Sequence, residues 1–133
     1  MFQIGGVADV VGLSLRTIRH YEEVGLVPPS GRSTGGFRLY TDDDIERLRL
    51  VKHMKPLEFT LEEMRDLLDA RDRLAEELEE EERAELLNKL SMYAAAADSR
   101  CQKLRGELAA AEAMASMLRR ETMRGRAPSK SRR

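Results

Sequence analysis

The chain has 133 residues, of which 35% are charged and 5% aromatic, a composition typical of a helical, partly extended protein with one domain plus an appendage. Its net charge of −1 does not exclude a nucleic-acid partner, because residues 76–85 carry seven acids and one base whereas residues 119–133 carry seven bases and one acid. No apolar run approaches the ~18 residues of a membrane span and no signal-peptide pattern is present, so we expect a cytoplasmic protein without a membrane partner. The single cysteine excludes an intramolecular disulfide.

Two short helices are predicted near the N-terminus. Residues 4–11 form the first, with apolar side chains at helical spacing in Val7, Ala8 and Val11. Gly12 separates it from a second helix, for which Ser14 is a good N-cap and Gly25 a stop. Two short helices joined by a glycine-containing turn indicate a helix-turn-helix motif.

The second helix, Ser14 to Val24, has an apolar and a polar face. We expect its inward face to contain Leu15, Ile18 and Val24. The outward face carries side chains suited to phosphates and base edges, namely Arg16, Thr17, Arg19, His20 and Tyr21. Taken alone, these residues are equally consistent with a solvated helix face.

The segment from Ser30 to Tyr40 predicts a small β-hairpin, after Pro28 and Pro29 end the helical region. Gly35 and Gly36 are able to take positive φ in its turn. A phosphate-binding loop for a nucleotide is the alternative for these glycines, but the Lys-Ser or Lys-Thr pair and the helix that such a loop requires are missing from the sequence. A basic helix followed by a basic hairpin favours recognition of a DNA groove and its flanking phosphates.

Two further helices complete the predicted N-terminal domain. Thr41 caps the third helix, whose buried stripe is Ile45, Leu48, Val51 and Met54, and Pro56 stops it. Thr60 and Glu63 form a capping box for the fourth helix. Its inward face is expected to contain Leu61, Met64, Leu67 and Leu68.

The segments TIRHYEEVGLVPP and GGFRLYTDDDIERL resemble the DNA-binding half of the MerR family of bacterial transcription activators, over roughly residues 3 to 75. The resemblance implies a winged helix-turn-helix domain in which the second helix is the recognition helix. It places the DNA-contacting residues of the wing at Arg32 on the outgoing strand and at Arg38 and Tyr40 on the return strand. His20 replaces a tyrosine that is common in the family motif.

The resemblance also implies a second DNA-contacting loop over residues 55–59, in which Lys55 reaches a phosphate. Pro56 and Glu58 depart from the usual family pattern, which has helix-continuing residues and a glycine there.

Residues 76–123 predict one long helix for dimerisation. Its apolar seam recurs with alternating steps of three and four residues at Leu87, Leu90, Ala94, Ala97, Cys101, Leu104, Leu108, Ala111, Ala115 and Leu118. Such a seam is about 48 Å long and needs a partner helix, most economically from a second copy of the chain. An antiparallel arrangement opposes Leu87 to Leu118 and Ala94 to Ala111, and the resemblance implies the same antiparallel coiled-coil dimer.

No cofactor or metal is predicted. Cys101 at a seam position is interpreted as a small hydrophobe, and the cysteine patterns of metal-sensing and redox-sensing relatives are missing from the sequence. His20 and His53 are far apart in sequence and belong to no ligand pattern. The acidic run of residues 76–85 is interpreted as a solvated helix face, and residues 124–133 as a basic disordered tail.

The sequence therefore predicts a mainly α protein in three parts: a winged helix-turn-helix domain at 1–75, a coiled-coil helix at 76–123 and a tail at 124–133. The expected function is MerR-type transcription regulation by a homodimer that binds and distorts a pseudo-palindromic promoter, with RNA polymerase as a partner implied by the resemblance. A DNA-bending architectural or recombination accessory protein with the same domain is the alternative. An enzyme is discounted because no nucleophile–base pair, carboxylate pair or metal constellation can be assembled.

Overall fold

The chain folds as short helices and a three-stranded sheet followed by one long helix. A computed structural model describes residues 1–126. In chain order its elements are β1 (Phe2–Gln3), α1 (Ile4–Val11), α2 (Leu15–Glu23), β2 (Gly31–Arg32), β3 (Arg38–Tyr40), α3 (Asp42–Met54), a short 3₁₀ helix (Lys55–Leu57), α4 (Leu61–Leu74) and α5 (Glu80–Arg126). The predicted fold class, a winged helix-turn-helix domain followed by a long helix, is confirmed.

Two compact units divide the chain, one from residue 1 to residue 93 and the other from residue 94 onward. Among residues 1–126, no helix combines the length and the apolar character that crossing a membrane requires.

The helix-turn-helix is formed by α1 and α2. The N–H of Gly12, at a φ of +76°, donates to the carbonyl of Ala8 at 2.9 Å and ends α1 in the left-handed conformation that glycine tolerates. α2 begins after Ser14, whose hydroxyl accepts from the N–H of Thr17 at 3.0 Å, as the N-cap prediction requires. Ile18 is fully buried and attaches α2 to the core.

The wing is a hairpin with one additional strand. β3 lies between β1 and β2 and is antiparallel to both, with Arg32 opposite Arg38 and Phe2 opposite Tyr40. β1 was not predicted, because two residues are too few to show a strand pattern. Of the two glycines in the turn, Gly36 has a positive φ, of +82°, and Gly35 does not.

The core lies between the first three helices, the sheet and α4. Its largest fully buried side chains are Tyr40, Ile18, Leu48, Val7, Val27 and Val51. The predicted stripe of α3 is buried at all four positions, and α4 buries Met64 and Leu68. Leu61 is exposed instead, because it is the first residue of α4 and lies at the edge of the domain.

Two capping boxes fix the starts of α3 and α4. The Thr41 hydroxyl accepts from the N–H of Asp44, and the Asp44 carboxylate accepts from the N–H of Thr41. Thr60 and Glu63 repeat this arrangement, which confirms the capping box predicted for α4.

The segment between α3 and α4 contains a strained residue. α3 ends at Met54, residues 55–57 continue as a 3₁₀ turn containing Pro56, and Glu58 adopts a left-handed φ of +62°. Glu58 is the only residue other than glycine with a positive φ in the described part of the chain. The backbone here has the conformation that glycine adopts most readily.

The first turns of α5 are attached to α4 within the first compact unit. Leu86 is buried, and the Asp66 carboxylate accepts from Lys89 Nζ at 2.9 Å and from the Tyr93 hydroxyl at 2.6 Å. The hydrogen bond from Tyr93, and then that from Lys89, lowers the pKa of Asp66. The same bond to Asp66 raises the pKa of Tyr93 to about 12.

α5 starts at Glu80 and continues through Arg126, so the structure moves both predicted ends of the coiled-coil helix by a few residues. The rest of the predicted tail, residues 127–133, lies outside the described residues. On the predicted seam Leu104, Leu108 and Leu118 are 41%, 59% and 58% exposed. A single chain thus leaves this apolar row in contact with water.

We predict that Glu58→Gly stabilises the protein. A side chain in the left-handed region costs about 1–2 kcal/mol, part of which is offset by the extra entropy that glycine loses on folding. We expect a net gain of about 0.5–1 kcal/mol in the free energy of unfolding, measured by urea denaturation of the full chain.

The matched control is Glu85→Gly, at an exposed position inside α5. Here glycine should lower the free energy of unfolding by about 1 kcal/mol, since nothing offsets its poor helix propensity. Equal destabilisation by both substitutions would contradict the assignment of strain to Glu58.

Candidate nucleic-acid interface

The outer face of α2 forms one wall of an open groove with the start of the 3₁₀ turn. This α2 groove has a volume of about 780 Å³ and is lined by Arg16, Thr17, Arg19, His20, Tyr21, Glu23 and Lys55. Six of the nine residues predicted to contact DNA therefore share one concave surface. Lys55 joins it although 34 residues separate it in sequence from Tyr21, because α3 carries it back to the end of α2.

The cations of the α2 groove are available to an anionic ligand. Within residues 1–126, the side chains of Arg16, Arg19 and Lys55 make no hydrogen bond or ion pair. Guanidinium and ammonium groups without an internal partner are the groups that phosphates recruit most readily. The groove contains one acidic side chain, Glu23, so its balance is positive.

Two predictions about the faces of α2 were wrong. Tyr21 is only 5% exposed, and burial raises the pKa of its hydroxyl, so it faces the core and reaches the groove only at its edge. Leu15 is 39% exposed although it was expected inside. A helix of nine residues presents a narrow face to the core, and Ile18 and Tyr21, three residues apart, fill it.

The polar residues of the α2 groove differ in how they are held. Thr17 is partly buried, and its hydroxyl lies 2.8 Å from the Ser14 hydroxyl, so part of its hydrogen-bonding capacity serves the N-cap. His20 is exposed, and its ring centroid lies 5.9 Å from that of Tyr21 at an angle of 46°. His20 is therefore the side chain with the larger accessible surface of the two.

The two wing arginines are held by a glutamate of α2. We call Glu22, Arg32 and Arg38 the wing clamp. Arg32 Nη2 donates to Glu22 Oε2 at 3.0 Å, and Arg38 Nε donates to Glu22 Oε1. The bond to Glu22 raises the pKa of the Arg38 guanidinium, so Arg38 stays charged in the wing clamp.

Tyr40 cannot make the side-chain contact to DNA that was predicted for it. The residue is fully buried, and burial raises the pKa of its hydroxyl. It lies at the end of β3 opposite Phe2, where the sheet meets the core. The aromatic ring exposed beside the turn of the wing is Phe37, at 61%, and it was not among the predicted contacts.

The C-terminal ends of both helices of the motif are held by cations from distant elements. Lys52 Nζ of α3 donates to the carbonyl of Val11 at 2.8 Å, and Arg65 of α4 donates to the carbonyl of Val24. In each pair the two residues are 41 positions apart, so no local sequence signal could have revealed them. These bonds satisfy carbonyls that a helix leaves unpaired at its end.

No group of three or more potential metal ligands occurs within residues 1–126. Cys101 is a free thiol on α5 and is partly exposed.

Comparisons with known proteins point to one family. The model for MerR HTH family regulatory proteins matches residues 2–71. The mercuric resistance operon regulatory protein of Bacillus cereus is 43% identical over 72 residues, which are 54% of this chain and 54% of that protein. The chain spans 26% to 54% of the length of three curated relatives that it matches.

Two solved structures are similar over most of the chain. The transcription regulator PbrR691 from Ralstonia metallidurans CH34, in complex with lead(II), is 31% identical with a TM-score of 0.52, covering 100% of this chain and 91% of that one. HiNmlR, a MerR family regulator lacking the sensor domain and bound to promoter DNA, is 22% identical with a TM-score of 0.64, covering 93% and 94%. At that identity the second similarity shows the fold alone.

Lys52 and Lys55 lie one helical turn apart and should behave differently when replaced. Lys52→Ala removes the donor to the Val11 carbonyl, and we expect it to lower the free energy of unfolding by about 1–2 kcal/mol, because the carbonyl loses a charged partner. Lys55→Ala removes a side chain without an internal partner and should change stability by less than about 0.5 kcal/mol. Urea denaturation of both variants measures the difference, and equal losses would contradict the assigned roles.

Proposed function

The chain belongs to the MerR family of helix-turn-helix regulatory proteins, and from this membership we propose that it is a DNA-binding transcription regulator rather than an enzyme. The observation that carries the proposal is the α2 groove, where Arg16, Arg19 and Lys55 converge and have no hydrogen-bond or ion-pair partner among residues 1–126. A recognition helix flanked by such cations suits the major groove of one half-site. There phosphate contacts position the protein and base contacts determine which sequence is bound.

The proposed DNA contacts divide between the α2 groove and the wing. Arg16, Arg19 and Lys55 supply phosphate contacts, and Thr17 and His20 offer polar groups to base edges. HiNmlR, which shares the fold, is bound to promoter DNA, and this supports double-stranded promoter DNA as the partner. A protein that binds chromosomal promoters works in the cytoplasm.

We propose that the protein is a homodimer. The seam from Leu87 to Leu118 leaves leucines exposed in a single chain, and an identical helix would cover them. In an antiparallel pair, leucine-rich ends face each other and alanine layers let the two helices approach closely. Such a pair would fix the distance between two recognition helices and hence the spacing of two half-sites.

The same arrangement supports a proposal for how transcription is controlled. Two domains held at a fixed spacing would distort DNA whose half-sites do not match that spacing, and the cost of distortion would depend on the sequence. Regulation then consists of presenting a distorted promoter to RNA polymerase. In this proposal residues 1–75 bind DNA, residues 76–123 dimerise and residues 124–133 form a basic tail.

The DNA-binding proposal predicts a specific effect of replacing arginine in the α2 groove. Binding of the full chain to a fluorescein-labelled duplex, selected from a random-sequence library, is measured by anisotropy over a range of salt concentrations. We expect Arg16→Ala to weaken binding and to reduce the slope of log K against log salt by about 0.9, since one phosphate contact is lost.

Arg49→Ala is the matched control, because Arg49 is a charged α3 residue that lines a different surface with Phe2 and Val10. It should leave the slope unchanged. Equal effects of the two variants would refute the assignment of the α2 groove. Run-off transcription with bacterial RNA polymerase on the selected sites separates regulation from the architectural alternative, which predicts binding without an effect on transcript yield.

The dimer proposal predicts which cysteines crosslink. In a Cys101→Ala background, Leu87→Cys and Leu118→Cys chains are mixed, and oxidation should join them because the antiparallel arrangement places these positions opposite each other. Product is measured by non-reducing electrophoresis. Efficient crosslinking of Leu87→Cys chains to each other would show a parallel pair instead.

A further inference from the structure

We propose that Glu22 is a positioning residue that holds the wing against the recognition helix, so that Arg38 presents its terminal nitrogens to a DNA phosphate while Arg32 acts as an internal brace. The inference rests on the proposed DNA-binding function and assigns different roles to two arginines that the sequence treats alike. It also gives a role to an acidic side chain on a DNA-binding helix.

Glu22 joins α2 to both strands of the β2–β3 hairpin. It lies at the end of α2, and its two carboxylate oxygens each accept from a different strand of the wing. Its side chain is 19% exposed, so the carboxylate is largely shielded from water by its two partners. Removing it would remove both ion pairs that join α2 to β2 and β3.

Both terminal nitrogens of Arg32 donate to oxygens of the protein, although half of its side chain is exposed. Nη2 donates to Glu22, and Nη1 donates to the carbonyl of Gly36 in the wing turn at 3.2 Å. The guanidinium therefore connects α2, β2 and the turn in one plane. A side chain committed in this way stabilises the shape of the hairpin and offers less to a phosphate.

Arg38 is bound in a different way. Its Nε donates to Glu22, while Nη1 and Nη2 have no partner among residues 1–126. Arg38 and Arg32 are directly opposite each other in the β2–β3 ladder. The bond from Nε to Glu22 sets the direction in which Nη1 and Nη2 of Arg38 extend. A guanidinium held at Nε can donate from its two terminal nitrogens to two oxygens of one phosphate.

The charges of the wing clamp allow a test that depends on whether neutralising Glu22 weakens or tightens DNA binding. One carboxylate and two guanidinium groups sum to +1, so Glu22 does not make the cluster negative. If Glu22 only repelled DNA, its neutralisation would tighten binding. If Glu22 positions the wing, its neutralisation should weaken binding although the protein becomes more positive.

The experiment uses the full chain and the selected duplex described above. Glu22→Gln should weaken binding about tenfold, which corresponds to about 1.4 kcal/mol. The matched control is Glu23→Gln, since Glu23 is exposed in the α2 groove and makes no hydrogen bond or ion pair within residues 1–126. Glu23→Gln should tighten binding, because it removes a negative charge and no contact.

The two arginines are separated by the salt dependence. Arg38→Ala should reduce the slope of log K against log salt by about 0.9, as expected for a lost phosphate contact. Arg32→Ala removes the brace but no phosphate contact, so it should weaken binding with an unchanged slope. Arg32→Lys, which keeps the charge but replaces two donor nitrogens by one, should do the same. Circular dichroism and the thermal midpoint show whether each variant is folded. If an alanine variant unfolds the wing, Arg32→Lys and Glu22→Gln still test the proposal, because they keep most of the side chain.

Two results would overturn the proposal: tighter binding by Glu22→Gln, as for Glu23→Gln, or equal slope losses for Arg38→Ala and Arg32→Ala. Failure of the proposed function is distinguishable. In that case the unmodified chain selects no duplex, or Arg16→Ala leaves binding unchanged, whatever the wing clamp variants do.

Discussion

The arrangement of the N-terminal domain depends on how the C-terminal ends of its two shortest α-helices are satisfied. α1 has eight residues and α2 has nine, too few for either to be stable alone. Lys52 and Arg65 reach back from α3 and α4 to donate to carbonyls at those ends. These bonds and the burial of Ile18 fix the direction of α2, and the positions of the α2 side chains in the groove follow from that direction.

The domain separates its cations into two functional groups. Lys52, Arg65 and Arg32 are bound to carbonyl or carboxylate oxygens and stabilise the fold. Arg16 and Arg19 have no internal partner in the described chain and face the groove. Net charge cannot distinguish these two groups, because a paired guanidinium and an unpaired one contribute to it equally. Only the unpaired guanidinium binds a phosphate without first breaking a bond within the protein.

Local physics determined much of this protein from sequence alone. The bounds of α1, the cap at Ser14, the capping box at Thr60 and the buried stripe of α3 depend on residues within a few positions of one another, so the sequence is sufficient to predict them. The apolar period of α5 likewise indicated a helix with a row of residues needing a partner, and the exposed leucines from Leu104 to Leu118 agree with that expectation.

Tertiary structure decided what local pattern leaves open. Tyr21 was expected on the outward face of α2 by residue type and Tyr40 was a contact implied by the resemblance, but both rings are buried in the core. The bonds from Lys52 and Arg65 join residues 41 positions apart, and the wing clamp joins α2 to two strands. Sequence spacing therefore determined which residues form helices and which face is basic, whereas only the folded chain decided which charged groups are already paired, because pairing depends on distances between elements remote in sequence.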